Sequence, residues 1–190
     1  MAESLPAAIF DDLGGGRFRG TELSAGPWDP AAMHGGPPGA LLAGELEATV
    51  HAADLGEFVP VRVTVELLRP VPVGADLRVE TTARRPGRKV FVADGTLTHD
   101  GTAVAAATLQ CIRRRPFDTD VVDSAEPPPL PPATADRPVA AGPLLFHLHG
   151  VEHRFVTGSF SAAGPAIDWI RLRVPLVAGR DTTPLERIVA

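Results

Sequence analysis

From Val61 to Arg113 the chain alternates apolar and polar residues in one short run after another, and a single, almost non-polar segment comes before them. In VRVTVELL, Val61, Val63, Val65 and Leu67 oppose Arg62, Thr64 and Glu66, the pattern of a half-buried strand. DLRVETTAR alternates Leu77, Val79 and Thr81; RPGR turns the chain and KVFVADGTLTH runs back. The Asp-Gly pair of HDGT signals a tight hairpin, and TAVAAATLQCIR returns from it. In the preceding segment, from about Pro37 to Ala53, Leu42, Leu46 and Val50 recur at four-residue steps, one face of a helix. Pro37 and Pro38 suit its first turn, where a missing N–H costs nothing. Gly39, Ala40, Ala43 and Gly44 are small, and a helical glycine is unfavourable in itself, so this face is expected to pack closely against other backbone. With little polar surface before Glu45 the helix should be buried. One helix and then an antiparallel meander predict an α+β fold, the sheet wrapped around the helix. An opening strand is expected at FRGTELSA.

Three zones follow from this reading. Residues 1–114 form a first unit. Residues 115–142 are a linker in which Pro127, Pro128, Pro129, Pro131 and Pro132 favour a stiff, extended chain. Residues 143–190 are a second, shorter unit. Its strands are expected at VEHRFVTGSF and AIDWIRLRVPLV, and TTPLERIVA offers Thr183 as N-cap, Pro184 at the first helical position and Glu186 at N3. The second unit repeats the order of the first and stops where its helix begins. Its strands should therefore extend the first unit's sheet or meet a partner, and residues from about Thr183 should be loosely held. The net charge of −5 argues against general nucleic-acid binding. No segment approaches the roughly 18 apolar residues of a membrane helix. The N-terminus lacks the basic and apolar regions of a secretory signal, and the single cysteine, Cys111, excludes an internal disulfide framework. A cytoplasmic protein is the expectation.

The segments GPWDPAAMHGGPPGALLAGELE, VTVELLRPVPVG and RRPGRKVFVADGTLTHDGTAVAAATLQCIR resemble the acyl-CoA thioesterase family with a tandem, or double, hotdog fold, the thioesterase II-like group. VEHRFVTGSFSAAGPAIDWIRLRVPLV resembles the opening of that family's second hotdog. The resemblance implies hydrolysis of acyl-CoA, or a related acyl thioester, to free acid and CoA, a place in lipid metabolism, and no cofactor. It also implies a homo-oligomer or a chain that completes the second hotdog. The family's aspartate, Ser or Thr, and Gln would lie beyond Ala190 and cannot be carried onto this chain. The alternative is a catalytically incomplete hotdog that binds acyl groups or a partner chain without turnover.

Thioester hydrolysis needs a polarised carbonyl and a delivered water. Amide N–H groups at a helix start suit the first task, and glycines let a carbonyl approach the backbone. Gly35 and Gly36 are the candidates, and otherwise they make only a tight turn. His34 could position or deprotonate water, or cap the helix. Gln110 is the internal-repeat counterpart of the family's catalytic glutamine, or an ordinary polar residue of a sheet. Arg84, Arg85, Arg88 and Lys89 flank Pro86-Gly87 and could hold CoA phosphates, or form a solvated hairpin tip. Arg113, Arg114 and Arg115 carry the same two readings. Asp29 supports His34 or begins a turn before Pro30. His147, His149 and His153 have too loose a spacing to be assigned to a metal. Cys111, in a strand with no partner to activate it, is not a nucleophile candidate.

Overall fold

A computed structural model describes residues 5–116, 118, 126–132 and 143–190. The expected helix is α1, Gly36–Ala52. The four alternating runs are β3 (Phe58–Leu67), β4 (Asp76–Pro86), β5 (Val90–His99) and β6 (Thr102–Arg113). The hairpin between β5 and β6 turns at Asp100 and Gly101, with φ of 48° and 73°, as an Asp-Gly turn of the favoured hand requires. The opening segment differs from expectation. It is a hairpin of β1 (Phe10–Gly14) and β2 (Arg17–Gly20), followed by a 3₁₀ turn at Glu22–Ser24. The Thr21 hydroxyl donates back to the carbonyls of Ala8 and Ile9, and the Ser24 hydroxyl donates to the Thr21 carbonyl, which ends the strand there. All six strands form one antiparallel sheet in the order β1-β2-β4-β5-β6-β3, with β3 at a free edge among the described residues.

The sheet has one apolar and one polar face, as period-2 alternation dictates. Leu77, Phe91, Leu97, Leu109 and Cys111 form a single core with Leu41, Leu42 and Leu46 of α1. On the other face the Thr108 hydroxyl donates to Asp94, which also pairs with Arg84. The two ends of the sheet differ in what they meet. At one end the start of α1 abuts the end of β3: the Met33 N–H donates to the Val71 carbonyl at 2.8 Å, and Gly35 packs on Leu67. At the other, the β4–β5 tip meets the chain just past α1. There Arg113 donates from Nε to the Arg88 carbonyl at 2.7 Å and from Nη2 to the Leu55 carbonyl.

The second zone holds a π-helical turn (Phe146–Gly150), a separate two-stranded sheet of β7 (Val151–Thr157) and β8 (Ile167–Leu172), and α2 (Pro184–Val189). These two strands do not extend the six-stranded sheet. Residues 175–178 do so instead, running parallel to β1, with the Phe10 N–H donating to the Leu176 carbonyl at 2.8 Å. β8 leaves Ile167, Trp169 and Ile170 exposed. The capping box is present: Thr183 Oγ1 accepts from the Glu186 N–H at 3.2 Å, and Glu186 Oε2 accepts from the Thr183 N–H at 2.7 Å.

The end of the chain is not loosely held, contrary to expectation. α2 lies on the small-residue face of α1, with Gly36 against the Ala190 carbonyl, Gly39 against Val189 and Gly44 against Glu186. Glu186 is only 1% exposed, and Arg180 bridges it to Glu45 at 3.0 and 2.7 Å. The close packing predicted for α1 is therefore found, and its partner is α2. Of the proline-rich linker, residues 126–132 have no regular secondary structure, and the Pro131 carbonyl accepts from Arg154. The remaining linker residues 117, 119–125 and 133–142 lie outside the described residues.

Candidate active site

Four amide positions open α1, and the sequence leaves little hydrogen-bonding capacity among them. Pro37 and Pro38 have no N–H. The Gly39 N–H reaches the Gly35 carbonyl at 3.4 Å, and the Gly36 N–H donates to His34 Nδ1 at 3.1 Å. His34 thus caps its own helix. The preceding amide, the Gly35 N–H, makes no hydrogen bond among the described residues. It lies beside an open cleft of about 330 Å³ lined by Met33, Gly35, Pro38, Leu67, Leu68, Arg69, Pro70 and Val71.

That cap decides what the His34 ring can do. Nδ1 uses its lone pair to accept from Gly36, so in the neutral ring the hydrogen sits on Nε2. Burial, and then the charge of His147, lower its pKa from the ordinary 6.5, which favours this neutral form. His34 is therefore a hydrogen-bond donor at Nε2 and not a base. Its own N–H donates to the Ser24 carbonyl at 2.8 Å, which fixes the turn. The ring lies 6.1 Å from Trp28, which is 85% exposed, 5.2 Å from Phe146 and 6.4 Å from His147. Asp29 points elsewhere: its Oδ1 accepts from the Ala31 N–H, the turn reading.

Other sequence candidates do not converge here. Gly36 has spent its N–H on His34 and its α-carbon faces Ala190. Gln110 stands opposite Arg62 and Val92, on the face of the sheet turned away from α1, because its neighbours Leu109 and Cys111 face the core. Arg84 is paired with Asp94 on that same outer face. Arg85, Arg88 and Lys89 are exposed at the β4–β5 tip, next to the far end of α1. The 17 residues of α1 separate them from His34 by about 25 Å. Alternation locates a residue on a strand but leaves open which face meets the helix and which end meets the site.

Sequence reasoning missed a cluster from the second zone. His153 and Asp168, each 15% exposed, join β7 to β8 through Nδ1 and Oδ2 at 2.5 Å. His153 Nε2 lies 2.9 Å from the His147 carbonyl. Phe160 makes T-shaped contacts with His147 and His153, and Phe155 stacks on His153. The signal in the sequence is three histidines within seven residues, a density that marks a cluster without saying what its members bond. Among the described residues no group of three or more His, Cys, Asp or Glu side chains is placed to hold a metal ion. None of their helices is long and apolar enough to cross a membrane.

Comparison with known proteins bears on this geometry. Residues 24–112 match the family model of the acyl-CoA thioesterase N-terminal domain. A hotdog-fold protein of unknown function from Alicyclobacillus acidocaldarius aligns with 89% of this chain and 62% of its own, at 24% identity and a TM-score of 0.63. A "putative thioesterase" from Novosphingobium aromaticivorans aligns with 89% of this chain and 66% of its own, at 23% identity and the same TM-score of 0.63. A "putative thioesterase II" from Thermobifida fusca aligns with 78% of this chain and 52% of its own, at 21% identity and a TM-score of 0.55. The helix wrapped by an antiparallel sheet is the hotdog fold. The chain spans between half and two thirds of the length of these structures. No protein of curated function matches it.

Proposed function

From the premise that residues 24–112 form a domain of the acyl-CoA thioesterase family, we propose that this chain hydrolyses acyl thioesters, acyl-CoA foremost, to the free acid and thiol. One observation carries the reading: the Gly35 N–H is unpartnered among the described residues at a helix start beside a cleft whose walls are mostly apolar side chains with Arg69 among them, and the His34 imidazole, with its pKa lowered by burial, adjoins it. The acyl chain lies in the cleft along Met33, Leu67 and Leu68. The thioester oxygen meets the Gly35 N–H and the His34 Nε2–H, whose positive ends stabilise the charge that develops on attack. The positive end of the α1 dipole adds to both.

Residues 143–190 are, in this reading, the opening of a second hotdog. The exposed Arg85, Arg88 and Lys89 are too far from His34 to serve the same bound CoA within one domain. They can do so for a neighbouring hotdog paired antiparallel along the free edge of β3, which sets opposite sheet ends side by side. A second reading, acyl binding without turnover, draws on the fact that only His34 and Gly35 of the named residues converge. Thiol release from acyl-CoAs of several chain lengths by the purified 190-residue chain separates the two. His34→Ala should cost about 100-fold in kcat, the usual effect of losing one oxyanion donor, at unchanged fold content. Equal turnover by variant and parent would leave His34 as a cap only.

A further inference from the structure

Hydrolysis as proposed leaves the reaction without a base, since His34 has no free lone pair. His34 at the start of α1 adjoins His147, which lies in one short segment with His149 and His153, and the hydrogen bonds of the four imidazoles sort them. His34 Nδ1 accepts from Gly36, and His149 Nδ1 accepts from the Leu145 N–H at 2.9 Å. His153 has both nitrogens engaged, Nδ1 with Asp168 and Nε2 with the His147 carbonyl. A carbonyl only accepts, so His153 Nε2 carries a hydrogen. His147 alone keeps an uncommitted ring: its Nδ1 is buried and has no hydrogen-bond partner among the described residues. Its ring centroid is 6.4 Å from that of His34, so the two imidazoles are neighbours.

The backbone holds His147 in that place. It sits in a five-residue π-helical turn, Phe146–Gly150, that leads directly into β7. The Phe146 N–H donates to the Ala25 carbonyl at 2.9 Å, which ties the turn to the first domain. Phe146 is buried beneath the His34 ring, and His153, braced by Asp168, grips the His147 carbonyl. An unpartnered buried nitrogen is costly unless something bonds it, and a bound water would.

We propose that His147 is the general base of this thioester site, supplied by the second zone to the helix start of the first. Its imidazole takes a proton from water as the water oxygen bonds to the thioester carbon, whose oxygen is held by Gly35 and His34. The tetrahedral intermediate then expels the thiolate as the C–S bond breaks, and the imidazolium returns the proton to sulfur. Water is consumed, acid and thiol leave, and His147 is regenerated. Burial, then His153 and His149, lower its pKa, which favours the neutral ring that can accept a proton.

This inference rests on the thioesterase reading, and one experiment separates the two. Parent and His147→Gln are assayed for thiol release from acyl-CoAs at matched fold content. The expected result is a kcat lowered about 100-fold or more, the scale of a general base, with KM within threefold. An active parent with an unchanged His147→Gln kcat overturns the inference and leaves the thioesterase reading standing. A parent that releases no thiol from any acyl-CoA removes both. Should His147→Gln fail to fold, the parent is followed by NMR at its imidazole carbons while S-dodecyl-CoA, a non-hydrolysable thioether, is added. Shifts at both His34 and His147 support the assignment, and a shift at His34 without one at His147 overturns it.

Discussion

Gly44→Ala should destabilise this protein, although the same change stabilises most helices. Propensity alone favours alanine by about 1 kcal/mol in a helix interior. At position 44, however, a Cβ would lie 2.7 Å from Glu186 Cδ and 2.9 Å from Cγ, with Oε1 closer still. Glu186 cannot swing away freely. Its Oε2 closes the capping box on Thr183, its Oε1 is bonded to Arg180, and it is buried. Displacing it breaks a charged contact whose loss costs about 3–5 kcal/mol when fully buried. Arg180 is 35% exposed in its side chain, which puts the cost near the lower end. After subtracting propensity, a net loss of about 2 kcal/mol is expected. Urea unfolding of four proteins tests this: parent, Gly44→Ala, Glu186→Ala and the double variant. In the Glu186→Ala background the obstacle is gone, and Gly44→Ala should turn stabilising by up to about 1 kcal/mol. If Gly44→Ala stabilises the parent, α2 does not sit on α1 as described.

Two further outcomes follow. Burial lowers the folded-state pKa of His34 and His147 below the 6.5 that both regain on unfolding. The unfolded chain then binds more protons, so this contribution to stability is complete above pH 6.5 and is lost as pH falls through the folded values. A His34→Gln, His147→Gln double variant should show a flatter stability profile over that interval, and an identical slope would count against both burials. Burial, and secondarily Glu47, push the Cys111 thiol up to about 11. Native protein at pH 8 should consequently leave a thiol-reactive disulfide reagent unreacted until urea unfolds it, and rapid labelling in buffer would contradict the packing of β6 on α1.

Local chemistry determined much of this molecule from sequence alone. Period-2 alternation marks β3 to β6 because each residue's side of the sheet depends only on its parity. Asp100-Gly101 and the Thr183–Glu186 box are complete within four residues, so no distant part of the chain is needed to read them. The small face of α1 likewise announced a close neighbour. The identity of that neighbour did not follow, because Gly44 and Glu186 are brought together only by the path of the whole chain. β1 was missed because FDDLG has no alternation of its own; it is a strand through its pairing with β2 and with residues 175–178. Gln110, the basic hairpin and the histidines divide in the same way. Their residue types were legible, but the face of β6, the end of the sheet and the meeting of His34 with His147 are properties of topology. A side chain's chemistry is carried in sequence; its distance from another side chain is set by the tertiary packing that closes the long stretch of chain between them.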